Sequence, residues 1–158
     1  MQQNQFEMEL AGSKTFFLNS IGSLTEADSG FRPTPESFSV SEQVAHVAQT
    51  IDWFVDGVEK PEGFNTDFAG MEAEVRGVTS LEDAKAWYLR AMDRAAAAAR
   101  QHPESFWEAP IPDGPMFGGY PRGFIFSAIG DHTAHHRGAL TVLARLSGHV
   151  PPMPYGMG

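Results

Sequence analysis

Four of the six histidines in this 158-residue chain fall late in the sequence, at positions 132, 135, 136 and 149. The densest run is Gly130-Asp131-His132-Thr133-Ala134-His135-His136-Arg137-Gly138. On a helical wheel of about 100° per residue with Ile125 at zero, Ile129, Ala139 and Leu143 lie within roughly 40° of the origin. His132 and His136 fall near −20° and +20°, in the middle of that apolar stripe, and His135 near −80°, at its edge. Two imidazoles one turn apart on an inward face cannot both carry charge without a large desolvation cost. A divalent metal resolves the conflict, because neutral imidazole is a common ligand and the ion uses both lone pairs. The alternative is a pair of core histidines hydrogen-bonded to polar neighbours.

Two histidines do not close a metal site. The third ligand has four candidates: His46, His102, His149, or a carboxylate such as Glu42. His46, in Val44-Ala45-His46-Val47, is mid-helix and rigidly presented, yet lies about 120° from the centre of its helix's main apolar stripe. Thr50 and Trp53 share its side, so that face could be covered too. His102 and His149 stand at helix ends, where solvated side chains are expected. Competing chemistries fit less well. A zincin needs Glu directly after the first His, where Thr133 stands, and no Glu-x-x-His pair of the di-iron kind is present. The chain has no cysteine, no Gly-x-Ser-x-Gly, no P-loop and no dinucleotide glycine fingerprint. Asp131 and Glu42 are the acids that could act as a base near the run. Arg137 is a candidate catalytic residue, placed to hold a substrate carboxylate or phosphate, with a surface ion pair as its plainer reading.

Four helical segments must position these groups. Phe6, Leu10, Phe17, Ile21 and Leu24 share one stripe, giving a helix near 4–25, and Gly30, Pro33 and Pro35 break it. Ser39 and Glu42 read as a capping box opening a helix near 40–59, with Val40, Val44, Val47, Ile51, Phe54 and Val58 on one face. Thr79 and Glu82 read as a second box opening a helix near 80–101, whose Ala-rich half admits a close neighbour. Residues 103–121 are rich in Pro and Gly and read as a long ordered loop, in which Phe117, Tyr120 and Trp107 either wall a pocket or cap the core. The last helix runs from about Gly123 to Leu146 and is closed by Gly148. Strand patterns are nearly absent, so the expected fold is all-α, one four-helix-bundle domain over residues 1–158.

Composition bounds the function. Net charge is −9 with the few bases scattered, which disfavours nucleic acid. No apolar run approaches the roughly 18 residues of a membrane span. The N-terminal Met-Gln-Gln-Asn-Gln has neither basic nor apolar character, so no signal peptide is read there and a cytoplasmic location is expected. With 42% hydrophobic residues and 12 Phe, the chain is not disordered.

Two stretches carry a family resemblance. FRPTPESFSVSEQVAHVAQT resembles the Pro-containing lead into helix 2, with mid-helix His, of the DinB/YfiT-like superfamily of bacterial helical-bundle metalloenzymes. DHTAHHRGALTVLARLSGHVPPMPYG resembles that family's His-x-x-x-His-Arg-Gly helix and Pro-Pro-containing tail, although Ala139 stands where such proteins usually carry Gln. The resemblance implies an up-down-down-up bundle and a triad of His46, His132 and His136 around one divalent metal, usually zinc or nickel. It further implies a homodimer and a transferase or isomerase that uses a low-molecular-weight thiol. Three histidines leave an open coordination position, as catalytic sites do. Three functions therefore stand: thiol transfer to a small electrophile, metal-dependent hydrolysis, and a non-catalytic bundle that binds a metal or partner.

Overall fold

A computed structural model describes residues 2–156, the side chains of 2–4 excepted. Among these residues there are six α-helices and no strand: α1 (Gln2–Ser20), α2 (Val40–Glu59), α3 (Phe68–Arg76), α4 (Leu81–Gln101), α5 (Glu104–Glu108) and α6 (Phe124–Leu146). Four of them, α1, α2, α4 and α6, form the bundle. In it α1 packs on α4 and α6, and α2 packs on the same two, so α1 and α2 stand on opposite corners.

The pairings across these interfaces fix the direction of each helix. Phe6 stacks on Phe126, and Arg137 reaches Phe16, so α1 and α6 run in parallel. Arg100 meets Glu7 and Lys14 meets Asp93, so α1 and α4 are antiparallel. Asp52 meets Trp87, and Asp56 meets Arg94, which makes α2 and α4 parallel. Up, down, down, up is therefore the order of α1, α2, α4 and α6, as the family resemblance implied.

Apolar burial explains why these four helices associate. Every stripe residue named for the first two segments is buried, Phe17, Val40, Val44 and Val47 completely. Ala91, Ala95, Ala98 and Ala99 bury the side of α4 that has little side-chain bulk. Gly57 is required by contact rather than by backbone freedom: a Cβ there would come within 2.2 Å of the Phe64 ring. At the end of α6, Gly148 takes φ +88°, and the N–H groups of Gly148 and His149 donate to Arg145 O and Ala144 O, a Schellman closure. Among the described residues no helix is long and apolar enough to cross a membrane.

Several boundaries differ from expectation. The first helix stops at Ser20, and Ile21 and Leu24 complete its apolar stripe from a following turn. Ser80, not Thr79, caps α4, its hydroxyl accepting from Asp83 N–H. The span between Pro61 and Thr79 contains α3, and the presumed loop after Gln101 opens with the short α5. Both helices bury little of themselves, Val75 in α3 and Trp107 in α5, so neither leaves a periodic signal.

Candidate metal centre

The site starts at the N-terminus of α2. Ser39 and Glu42 form the capping box: Glu42 N–H donates to Ser39 Oγ, and Ser39 N–H donates to Glu42 Oε2 at 2.9 Å. The buried Glu42 carboxylate also accepts from Arg32 at 2.7 Å and Arg76 at 3.3 Å. Ser41 Oγ reaches the carbonyls of Ser29 and Val78 at 3.0 and 2.8 Å. These bonds hold the first turns of α2, which carry Gln43 and His46.

Opposite them, α6 presents His132 and His136. One nitrogen from each of His46, His132 and His136 lies within 4.8 Å of the others. The Nε2 atoms of His132 and His136 are 3.0 Å apart, and the ring of His46 centres 5.1 and 4.7 Å from theirs. Tetrahedral coordination at about 2.0–2.1 Å sets ligand nitrogens roughly 3.3 Å apart. The α6 pair is close to that spacing, and a nitrogen of His46 lies within 4.8 Å of both.

Electrostatics favour the same outcome. Burial lowers the pKa of all three imidazoles, His132 to about 4 and His136 to about 3, and neighbouring histidines add to the effect at each. Neutral rings at pH 7 leave their lone pairs free for a cation. The side-chain amide of Gln43 sits against Nδ1 of His136. The atom that faces Nδ1 is the amide nitrogen. If Nε2 held a metal, Nδ1 would keep its proton, and turning the amide over would bring its oxygen to accept that proton and fix the ring. His132 Nδ1 is buried without a hydrogen-bond partner among the described residues. The donor set therefore fits a divalent ion.

Other sequence candidates divide clearly. Glu42 is engaged by two arginines and a cap and is not a ligand. His102 and His149 are half-buried rather than solvated: His102 pairs with Glu59 at 2.9 Å and stacks on Phe106, and His149 pairs with Asp28 at 3.0 Å. His135 is exposed, its ring edge-on to His136. Arg137 does not take the position beside the ligands that was expected of it. Its guanidinium lies between the rings of Phe16 and Tyr155, towards α1 and the tail, because its place on α6 faces that way. Trp107 is core, fully buried against Phe6 and Phe126, and Tyr120 is exposed over Phe124.

Three contributors were not anticipated. Gln43 sits one turn before His46, a spacing that could have marked it. Phe38 stacks near His46 with the Arg76 guanidinium over its own ring. Glu72, on α3, raises the proton affinity of His46 through its charge. A cleft of about 720 Å³ opens beside His132, with Phe54, Phe117 and Phe124 as walls and Asp131 and His135 at its rim. A larger groove, about 840 Å³ between α2, α3 and α4, contains none of the three histidines, and its Asp52 and Asp56 are bound by Arg94.

Known proteins resemble the chain at two levels. A crystal structure of a DinB-like protein from Bacillus subtilis superposes with TM-score 0.67 at 16% identity, covering 98% of this chain and 99% of that one. No curated protein matches. The sequence profile of the DinB superfamily matches residues 14–140, a span that includes His46, His132 and His136. The chain belongs to the DinB superfamily.

Proposed function

We propose that this protein is a metal-dependent transferase that joins a low-molecular-weight thiol to a small electrophile, with His46, His132 and His136 holding one zinc or nickel ion. The observation that supports this reading best is the convergence of three neutral imidazoles from two helices next to an open cleft. When bound, such an ion lowers the pKa of a thiol in its open position, keeping the sulfur as thiolate at neutral pH. The protein's own part is to hold the ligands, to orient His136 through Gln43, and to keep water from the electrophile with the phenyl walls. Overall, a sulfur–carbon bond forms, the leaving group departs with the electron pair of the bond that breaks, and the thiol's proton passes to solvent. Arg137 is given no part. The absence of any cysteine in the chain leaves an external thiol as the natural nucleophile.

A second reading, metal-dependent hydrolysis, is favoured by one observation: Asp131 stands at the rim of the same cleft, where it could take a proton from water. As to assembly, exposed Val142 and Leu146 lie one turn apart on α6 and offer an apolar strip to the second copy of a homodimer, which sedimentation velocity checks. Metal content by mass spectrometry of wild type and His136→Ala tests the centre. Near-stoichiometric metal, lost in the variant, supports it; no metal in either folded protein overturns it. In the cobalt-substituted protein, a change in the visible spectrum on adding thiol supports transfer, and an unchanged spectrum leaves hydrolysis as the better reading.

A further inference from the structure

The cleft beside His132 has a composition that restricts its occupant. Its walls are Phe54 from α2, Phe124 and Ala128 from α6, and Phe117 from the loop before α6. No lysine or arginine lines it, and its fixed charge is the carboxylate of Asp131. In the metal-free protein an anionic ligand would meet no counter-charge among the lining residues and would lie near the negative Asp131. A flat apolar ligand meets ring faces on several sides, the arrangement in which edge-to-face and offset contacts add to burial.

Phe117 is held in place at a cost. Its backbone has φ 55°, the left-handed region that side chains with a Cβ avoid. The loop enforces this conformation by closing on itself. Ile111 N–H donates to Tyr120 O at 2.7 Å, Gly119 N–H to Ile111 O at 3.0 Å, and Arg122 N–H to Ala109 O at 2.9 Å. The ring so delivered lies 5.5–6.2 Å from the rings of Trp53, Phe54, Phe64 and Phe124. Strain that persists because the surroundings over-determine it is characteristic of positions serving a ligand.

We infer that this cleft binds an uncharged aromatic group, and that Phe117 is its specificity-determining wall. The inference rests on the proposed metal reaction only for what happens to the bound molecule; binding itself needs no metal. The cleft's size suits such a ligand, since small-molecule sites of about 300–1,000 Å³ are typically apolar with few polar groups.

Calorimetric titration tests this with 2-naphthol as the neutral probe and 2-naphthoate as its anionic counterpart. Metal-free wild type is expected to bind naphthol at least about tenfold more tightly than naphthoate, and Phe117→Ala to weaken naphthol by about tenfold. Ala128→Phe fills the cleft from α6 and gives the same loss should Phe117→Ala disturb its loop. His136→Ala separates the two proposals: loss of metal with naphthol affinity retained supports the cleft as an independent binding site. In the metal-free protein, absence of naphthol binding, equal binding of naphthoate, or wild-type affinity in either folded cleft variant overturns the inference while leaving the metal centre standing.

Discussion

Replacing Glu42 by alanine separates a structural carboxylate from a metal ligand. The side chain is 4% exposed and accepts from Arg32, Arg76 and the Ser39 N–H. Truncation removes two charge-assisted hydrogen bonds and half of a capping box, interactions individually worth about 1–3 kcal/mol. Breaking a buried pair costs more when a charge is stranded, but the two arginines are 34% and 31% exposed and can turn to water. A net loss of about 3 kcal/mol is therefore expected. For a chain of this size that lowers Tm by roughly 6–12 °C. Calorimetric melts of metal-free wild type and Glu42→Ala measure the loss, and mass spectrometry of the folded variant measures its metal, which should remain stoichiometric. A loss below about 1 kcal/mol would show that the pairs are effectively solvated. Loss of metal from a variant that melts like wild type would make Glu42 a ligand and refute the arrangement described.

Other consequences can be checked in turn. Gln43→Leu removes the partner of His136 Nδ1 and should lower metal affinity by about 10–100-fold in a chelator competition, while Gln43→Glu, which still accepts the proton, should recover most of it. Gly57→Ala forces the Phe64 ring aside and should cost about 1–3 kcal/mol in urea melts without changing metal content. In the metal-free protein the folded pKa values of His132 and His136 lie near 4 and 3, below the unfolded value of 6.5. As pH falls from about 6.5 towards 4, the unfolded chain gains protons that the folded one refuses, so stability declines across that window. Allowing for solvent access to the rings, the slope should be about 1 kcal/mol per pH unit, and His136→Leu should flatten it.

Local signals explain what the sequence revealed. The Ser39–Glu42 box, the Schellman glycine and the stripe carrying His132 and His136 each depend on residues within a few positions of one another. His46 is different, because the wheel assumes one buried face. α2 packs against α3, α4 and α6, and even its polar residues Ser41, Gln43, Gln49 and Thr50 are buried. A helix covered on most sides has no single stripe, so an angular offset of about 120° carried no information about His46. Family resemblance supplied that candidate instead. The helix α3 was illegible because tertiary bonds hold it. Gln49 donates to Met71 O and Glu74, and Arg76 donates to Glu42 and the carbonyls of Glu36 and Ser37. Glu72 could not be placed near His46 without it.

The metal centre and the cleft are built from different kinds of structure, and this separates what substitutions in each can do. The three imidazoles project from helices whose positions are set by a capped N-terminus and a packed core, so their mutual geometry tolerates little change. One wall of the cleft stands instead on an irregular loop anchored by a few backbone bonds, so exchanging its side chains leaves the ligand positions untouched. Residues 110–121 should therefore set which electrophile is accepted, and the helices that carry the three imidazoles should set whether a metal is held, with the Glu42 network contributing stability rather than metal content. Phe117 makes the first half of that division testable: its ring reaches the cleft from a strained backbone, so a residue of different shape there changes the cavity before it changes the core.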